Sequence, residues 1–194
     1  PNFSTPFVTV VQDVTTAAKV FTITPTATTD SLTDIIDDGF AWSIISPDRM
    51  QATVMASRVN EIKVANGASP KVVVFFKNDL YGNGLFNQIS PKLSALVGNQ
   101  NMIPARYEDP AVLGFDPVKI QEEFTRVIGQ VALSGGNLLL FIGTTETAPL
   151  ALSYFNAVAP TPSIFSHGGA TALTSIPQTN EALQPLVEAV GQNI

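Results

Sequence analysis

The stretch Lys71-Val-Val-Val-Phe-Phe-Lys-Asn-Asp-Leu-Tyr81-Gly-Asn-Gly84 decides the class of this chain. Val72 to Phe75 form an unbroken apolar run with Phe76 behind it. A strand with one wet face alternates apolar and polar residues, so a continuous run predicts a strand covered on both faces. A polar turn follows at once, and a helix opens near Tyr81. This is the first half of a βαβ unit. It sets Asp79 and Tyr81 at the carboxyl end of a parallel strand, where open α/β sheets hold their ligands.

Outward from that stretch the pattern alternates. Strands are expected at 71–76, 102–107, 137–143 and 163–166, with helices near 81–97, 116–133 and 147–158 between them. The clearest helix starts with Asp116 as N-cap and Pro117 in the first helical position. Its Ile120, Phe124, Val127, Ile128 and Val131 recur at helical spacing and form one buried stripe. Leu85, Ile89, Leu93 and Leu96 do the same earlier, with Pro91 expected to kink or restart that helix. Alternation of this kind predicts an α/β fold, a parallel sheet with helices on both faces.

The first 46 residues differ. A helix at 6–19, a strand at 20–24, a Thr-rich loop at 25–30 and a short strand at 40–45 are expected, and Asp48 is expected to cap a helix running to about residue 62. Two strands and one helix cannot bury themselves. Either this portion joins the main sheet, or its partners lie outside the given sequence. No internal repeat, heptad run or low-complexity segment is present.

Composition narrows the function. Charged residues are 13% of the 194, about half the usual share, so the surface is rich in Ser, Thr, Asn and Gln. A net charge of −6 argues against a binder of nucleic-acid backbone. No apolar run reaches the roughly 18 residues of a membrane span; the run 138–142 is a core strand. Cysteine is absent, which removes disulfides, thiolate metal sites and cysteine nucleophiles. Pro1 is not a natural initiator, so an upstream segment is expected to have been removed.

Catalytic signatures are missing. There is no GxSxG elbow and no P-loop, and Gly82-Asn-Gly84 lacks the third glycine of a dinucleotide fingerprint. His167, the sole histidine, sits at Ser166-His167-Gly168-Gly169 after an expected strand, where it reads as a polar rim residue of a cleft. Asp34, Asp37 and Asp38 do not match the spacing of a calcium loop and read as a solvated helix end. The hydroxyls of Ser4-Thr5 and Thr26 to Thr29 suit a small anion, but by themselves they fit a set of Ser/Thr turns better.

Four ordered segments carry a resemblance. Val20-Phe-Thr-Ile-Thr-Pro-Thr-Ala-Thr28-Thr-Asp-Ser-Leu32, Ser46-Pro-Asp48-Arg-Met-Gln51-Ala, Asp79-Leu-Tyr81-Gly-Asn-Gly84 and Ser4-Thr5-Pro6 resemble the conserved segments of type I periplasmic binding proteins. Within these, the branched-chain amino-acid-binding class of ABC-transporter solute receptors is most similar. The resemblance runs from residue 4 to about 171.

It implies two α/β lobes closing on a ligand, of which this chain is a partial copy. Residues 1–46 would be the later part of lobe one and 47–175 lobe two, with a C-terminal helix or return segment at 176–194. The implied ligand-binding residues are Ser4, Thr5, Ala27, Thr28, Asp48, Tyr81, Thr144, His167 and Gly168. Ser4 and Thr28 would hold a carboxylate, the Ala27 carbonyl would accept from an ammonium, and Tyr81 would close over the ligand. Thr144 stands where the family often has an aromatic. Near Gly168 the family commonly places an acid, and this chain has Ser-His-Gly-Gly; either Glu146 substitutes, or the ligand is neutral or anionic. No cofactor or metal is implied.

The expected function is therefore an extracytoplasmic solute-binding protein or sensor domain, periplasmic or extracellular, without enzymatic activity. It would bind a small polar metabolite, amino-acid-like or a carboxylate, and work with an ABC-transporter permease or a signalling partner. Two other readings remain open. One is a doubly wound hydrolase or transferase using His167 with Glu146 or Asp79. The other is a degenerate binding fold kept as an interaction module.

Overall fold

The computed structural model describes residues 4–157 and 163–167. The expected segment at 176–194 and Gly168 lie outside the described residues. In chain order the elements are α1 (Ser4–Val10), β1 (Thr22–Thr24), β2 (Ala41–Ser43), α2 (Asp48–Asn66), β3 (Val72–Lys77) and α3 (Leu80–Val97). Then follow β4 (Met102–Tyr107), α4 (Pro117–Val131), β5 (Leu138–Ile142), α5 (Thr147–Ala157) and β6 (Ser163–His167).

Strands β4-β3-β5-β6 form one wholly parallel sheet in that order. Every residue of β3 and β5 is buried, as their continuous apolar runs require. Alternate side chains feed two separate cores. Val72, Val74 and Phe76 pack with Leu138, Leu140 and Ile142 beneath α2 and α3, through Met55, Val59, Leu85 and Ile89. Val73 and Phe75 pack with Leu139 and Phe141 beneath α4 and α5, through Phe124, Val127, Leu150 and Tyr154. Strand β4 lies at an edge, which is where a proline such as Pro104 is tolerated.

Local chemistry explains most boundaries. Asp116 caps α4, accepting from Val118 N at 2.9 Å, with Pro117 following. Helix α2 runs to Asn66, past the expected end near 62, and stops at Gly67 in the left-handed region, φ 66°. Pro91 neither ends nor restarts α3; the buried stripe Leu85, Ile89, Leu93 and Val97 holds one helix across it. The helix expected at 6–19 ends its regular turns at Val10 and continues as a π turn, Val11–Thr15.

Among the described residues, the N-terminal portion does not join the main sheet. Strands β1 and β2 pair with each other in parallel as a two-stranded sheet. A small core of Phe7, Val11 and Ala27 lies against it, packed by Leu32, Ile35 and Ala41. Asp37, from the acidic cluster, turns back onto the chain and accepts from Gly39 N and Ala41 N at 3.1 and 2.6 Å.

Candidate functional site

From β3 the chain crosses by α3 to β4 on one side, and from β4 it returns by α4 to β5 on the other. The connections part between the carboxyl ends of β3 and β5. Such a reversal opens a crevice at the edge of a doubly wound sheet.

Buried charge fills its floor. Lys77 ends β3 with its Nζ 3.1 Å from Asp79 Oδ2 and 3.8 Å from Glu146 Oε1. Glu146 also accepts from the Tyr107 hydroxyl and from Thr144 N, each at 2.9 Å, and from the Thr144 hydroxyl. Burial opposes the charge on Glu146, yet Lys77 and the Thr144 donors outweigh it and hold the carboxyl below its ordinary range. Burial likewise opposes the Lys77 ammonium, and Glu146, Asp79 and Asp109 outweigh it, so the amine stays charged. For Asp79 burial wins over Lys77 and the Gly82 N–H, and its pKa is raised.

Gly143 is required here by close approach. A Cβ on it would lie 2.0 Å from the Tyr107 hydroxyl oxygen. Asp79 also caps α3, accepting from Gly82 N at 2.7 Å, so one side chain anchors both the helix and the lysine.

Above this floor lies a cleft of about 560 Å³, lined by Thr5, Pro6, Lys77, Asp79, Asp109, Pro110, Ala111, Phe115, Ile120, Thr144, Thr145, Glu146 and Pro149. That is within the range of small-molecule sites, roughly 300–1,000 Å³. Thr5 ties the N-terminal helix to this edge, its Oγ1 accepting from Leu80 N at 3.2 Å.

The other expected residues gather along the seam between the N-terminal unit and the main sheet. Ser4 Oγ accepts from Thr28 N at 3.3 Å, Thr28 O accepts from Asp48 N at 2.8 Å, and Ala27 O accepts from Ser43 Oγ at 3.3 Å. Ala27 and Thr28 line a second hollow of about 380 Å³ with Phe7, Trp42 and Arg49. Thr5 and Thr144 line the larger cleft, while Ser4, Asp48 and Tyr81 line neither. Tyr81 packs half-buried against the α2/α3 core. Burial raises its phenol pKa, and the carboxylates of Asp48, Asp79 and Glu146 add to the shift, so it stays protonated. The backbone of His167 pairs opposite Ile142 at the same sheet edge.

Asp48 departs from its expected capping role. Pro47 holds the cap position, and Asp48 is the first residue of α2, with no side-chain bond to the helix N–H groups. Its carboxylate is fully buried, neither oxygen has a hydrogen-bond partner, and the Thr28 hydroxyl beside it also lacks one. Burial, then Asp30 and Asp79, push its pKa up to about 6; the nearby Thr28 side chain opposes this without a well-aligned bond. Gly84 makes room for it, since a Cβ there would lie 2.9 Å from Asp48 Oδ2.

Sequence reasoning missed Lys77, Tyr107, Asp109 and Phe115. The one available signal was Lys77 itself, a charge closing an otherwise apolar strand.

No protein-family model matches the chain. No curated protein matches it either. Among solved structures it is similar to an ABC transporter substrate-binding protein from Desulfitobacterium hafniense, with a TM-score of 0.56 at 18% identity. That match covers 97% of this chain and 55% of the other, so the chain spans about half the length of that protein. What the two share is the fold: parallel sheets flanked by helices.

Proposed function

We propose that the chain is the ligand-binding part of an extracytoplasmic solute-binding protein, or of a sensor built on the same fold. It takes a small polar metabolite in the cleft between the N-terminal segment and the carboxyl edge of the four-stranded sheet. The observation that carries this reading is the position of that cleft. It opens at the topological switch point, and its rim is completed by Thr5 from the N-terminal unit. A ligand seated there touches both units.

On this reading residues 1–46 belong to one lobe and 47–175 to the second, with the seam at Ser4, Thr28 and Asp48 near the hinge. Ligand bridging the lobes shifts an open–closed equilibrium, and a permease or signalling partner reads the closed shape. Charge-assisted hydrogen bonds contribute roughly 1.5–3 kcal/mol each. Three or four therefore support affinity in the micromolar range after association costs. The branched-chain class and its amino-acid-like ligand come from the sequence resemblance alone.

The test is a thermal-shift screen followed by titration calorimetry across amino acids, small carboxylates, amines and neutral polyols. Saturable binding at one-to-one stoichiometry is expected for at least one class. Absence of binding across all four classes at millimolar concentration would remove the receptor reading.

A further inference from the structure

We propose that the cleft is selective for a cation: an organic amine carrying an apolar body, in preference to a carboxylate. This rests on the solute-binding reading above and names its ligand class.

Charge along the lining is unbalanced. Asp79, Glu146 and Asp109 contribute three carboxylates, against the single ammonium of Lys77. That ammonium is already matched by Asp79 at 3.1 Å and Glu146 at 3.8 Å, and its side chain is only 8% exposed. Asp109 forms no salt bridge among the described residues, and its Oδ1 accepts only from the backbone N–H of Ala111. Asp109 therefore faces the cleft with no cation within 4 Å and feels Lys77 only at longer range, while Asp79 and Glu146 share that one ammonium. Fields of one sign in a cleft with low-dielectric walls attract the opposite sign and reject their own.

The donors nearest Glu146 are spent. Both the N–H and the hydroxyl of Thr144 donate to Glu146, and the Tyr107 hydroxyl donates to the same carboxylate. The Thr28 N–H donates to Ser4 and lies outside this cleft. An incoming carboxylate would meet the carboxylates of Glu146 and Asp109, with only the hydroxyls of Thr5 and Thr145 as further side-chain donors beyond Lys77.

Part of the lining is apolar. Phe115 lines the cleft with 72% of its surface exposed, beside Ile120 and Pro110. An aromatic ring lining the same cleft as Asp109 suits an ammonium group, through its quadrupole, and the hydrocarbon attached to that group. Together these give two complementary demands, positive charge and apolar bulk.

Titration calorimetry on the full chain with phenethylamine, 2-phenylethanol and 3-phenylpropionate separates them, because the three share one apolar body and differ in charge. The amine is expected to bind roughly tenfold tighter than the alcohol, and the carboxylate to give no saturable heat. Asp109→Asn, which keeps the Ala111 acceptor, is expected to weaken the amine roughly five- to tenfold and the alcohol by less than about twofold, with the ligand-free melting temperature as the control for folding. Carboxylate binding tighter than amine, or amine affinity unmoved by Asp109→Asn, overturns the cation assignment while the solute-binding reading stands. Silence from these three and from the wider four-class panel overturns both.

Discussion

Asp48→Asn should stabilise this protein at neutral pH, and by an amount that depends on pH in a defined way. The carboxylate is fully buried with both oxygens unpartnered, and its pKa stands at about 6 when folded against 3.8 when free. Below the lower value both states are protonated and the acid has no effect. As pH rises the unfolded chain loses its proton first, so stability falls between the two values and stays reduced above about 6. The difference corresponds to about 3 kcal/mol at most. Relaxation and water penetration lower the real penalty of a buried charge, so the expected gain from the neutral side chain is about 1–2 kcal/mol. Urea denaturation of wild type and variant at several pH values measures this, with equal m-values as the control for unchanged folding. The two stability curves should meet near about pH 3.5 and separate by about pH 7.5. A gap that does not vary with pH, or a variant less stable than wild type at neutral pH, refutes the assignment of Asp48 as an unmatched buried acid.

Glu146 should behave in the opposite sense. Its folded pKa is depressed, so its contribution is present above the ordinary value of 4.5 and is lost as pH falls through the folded value. Glu146→Gln is expected to cost roughly 3 kcal/mol at neutral pH, because Lys77 loses one of two carboxylates, and the loss should shrink in acid; chemical denaturation in both conditions reads it. Gly143→Ala should destabilise by about 1–3 kcal/mol or more, since the new Cβ meets Tyr107 at 2.0 Å and Glu146 at 2.7 Å. An unchanged thermal midpoint would contradict the packing at that edge. Thr28→Val removes the hydroxyl that eases the Asp48 charge without a well-aligned bond, so stability at neutral pH should fall by less than about 1 kcal/mol. If the seam shapes the ligand site, Thr28→Val and Tyr81→Phe will each weaken the best ligand of the screen, and equal affinity in both variants would take these residues out of the site.

Features that depend on neighbouring residues were readable in the sequence. Val72 to Phe76 and Leu138 to Ile142 announced strands buried on both faces because solvent exposure on either face would interrupt them with polar residues. Asp116-Pro117 announced a helix start because capping needs residues only two or three apart. The same logic misplaced Asp48. Residue type and position suggested a cap, but the backbone N–H of Asp48 is drawn to Thr28 O, and Gly84 opens a recess for its carboxylate. Both influences come from distant parts of the chain. The restart expected at Pro91 does not occur for a related reason: the intrinsic cost of proline in a helix was visible, and the packing of Leu85, Ile89 and Leu93 on the sheet that keeps one helix was not.

Periodicity and capping, which act over a few residues, were enough to specify alternating strands and helices and hence a layered parallel α/β protein. The grouping of Lys77, Tyr107 and Glu146 came only with the order β4-β3-β5-β6, which brings three strand ends side by side. Strand order is chosen by how crossover helices pack on the two faces, a long-range balance that local pattern does not carry. The charge of the cleft follows from that order. Tertiary structure alone therefore decided which acids stand opposite which base, and so which sign of ligand the edge favours.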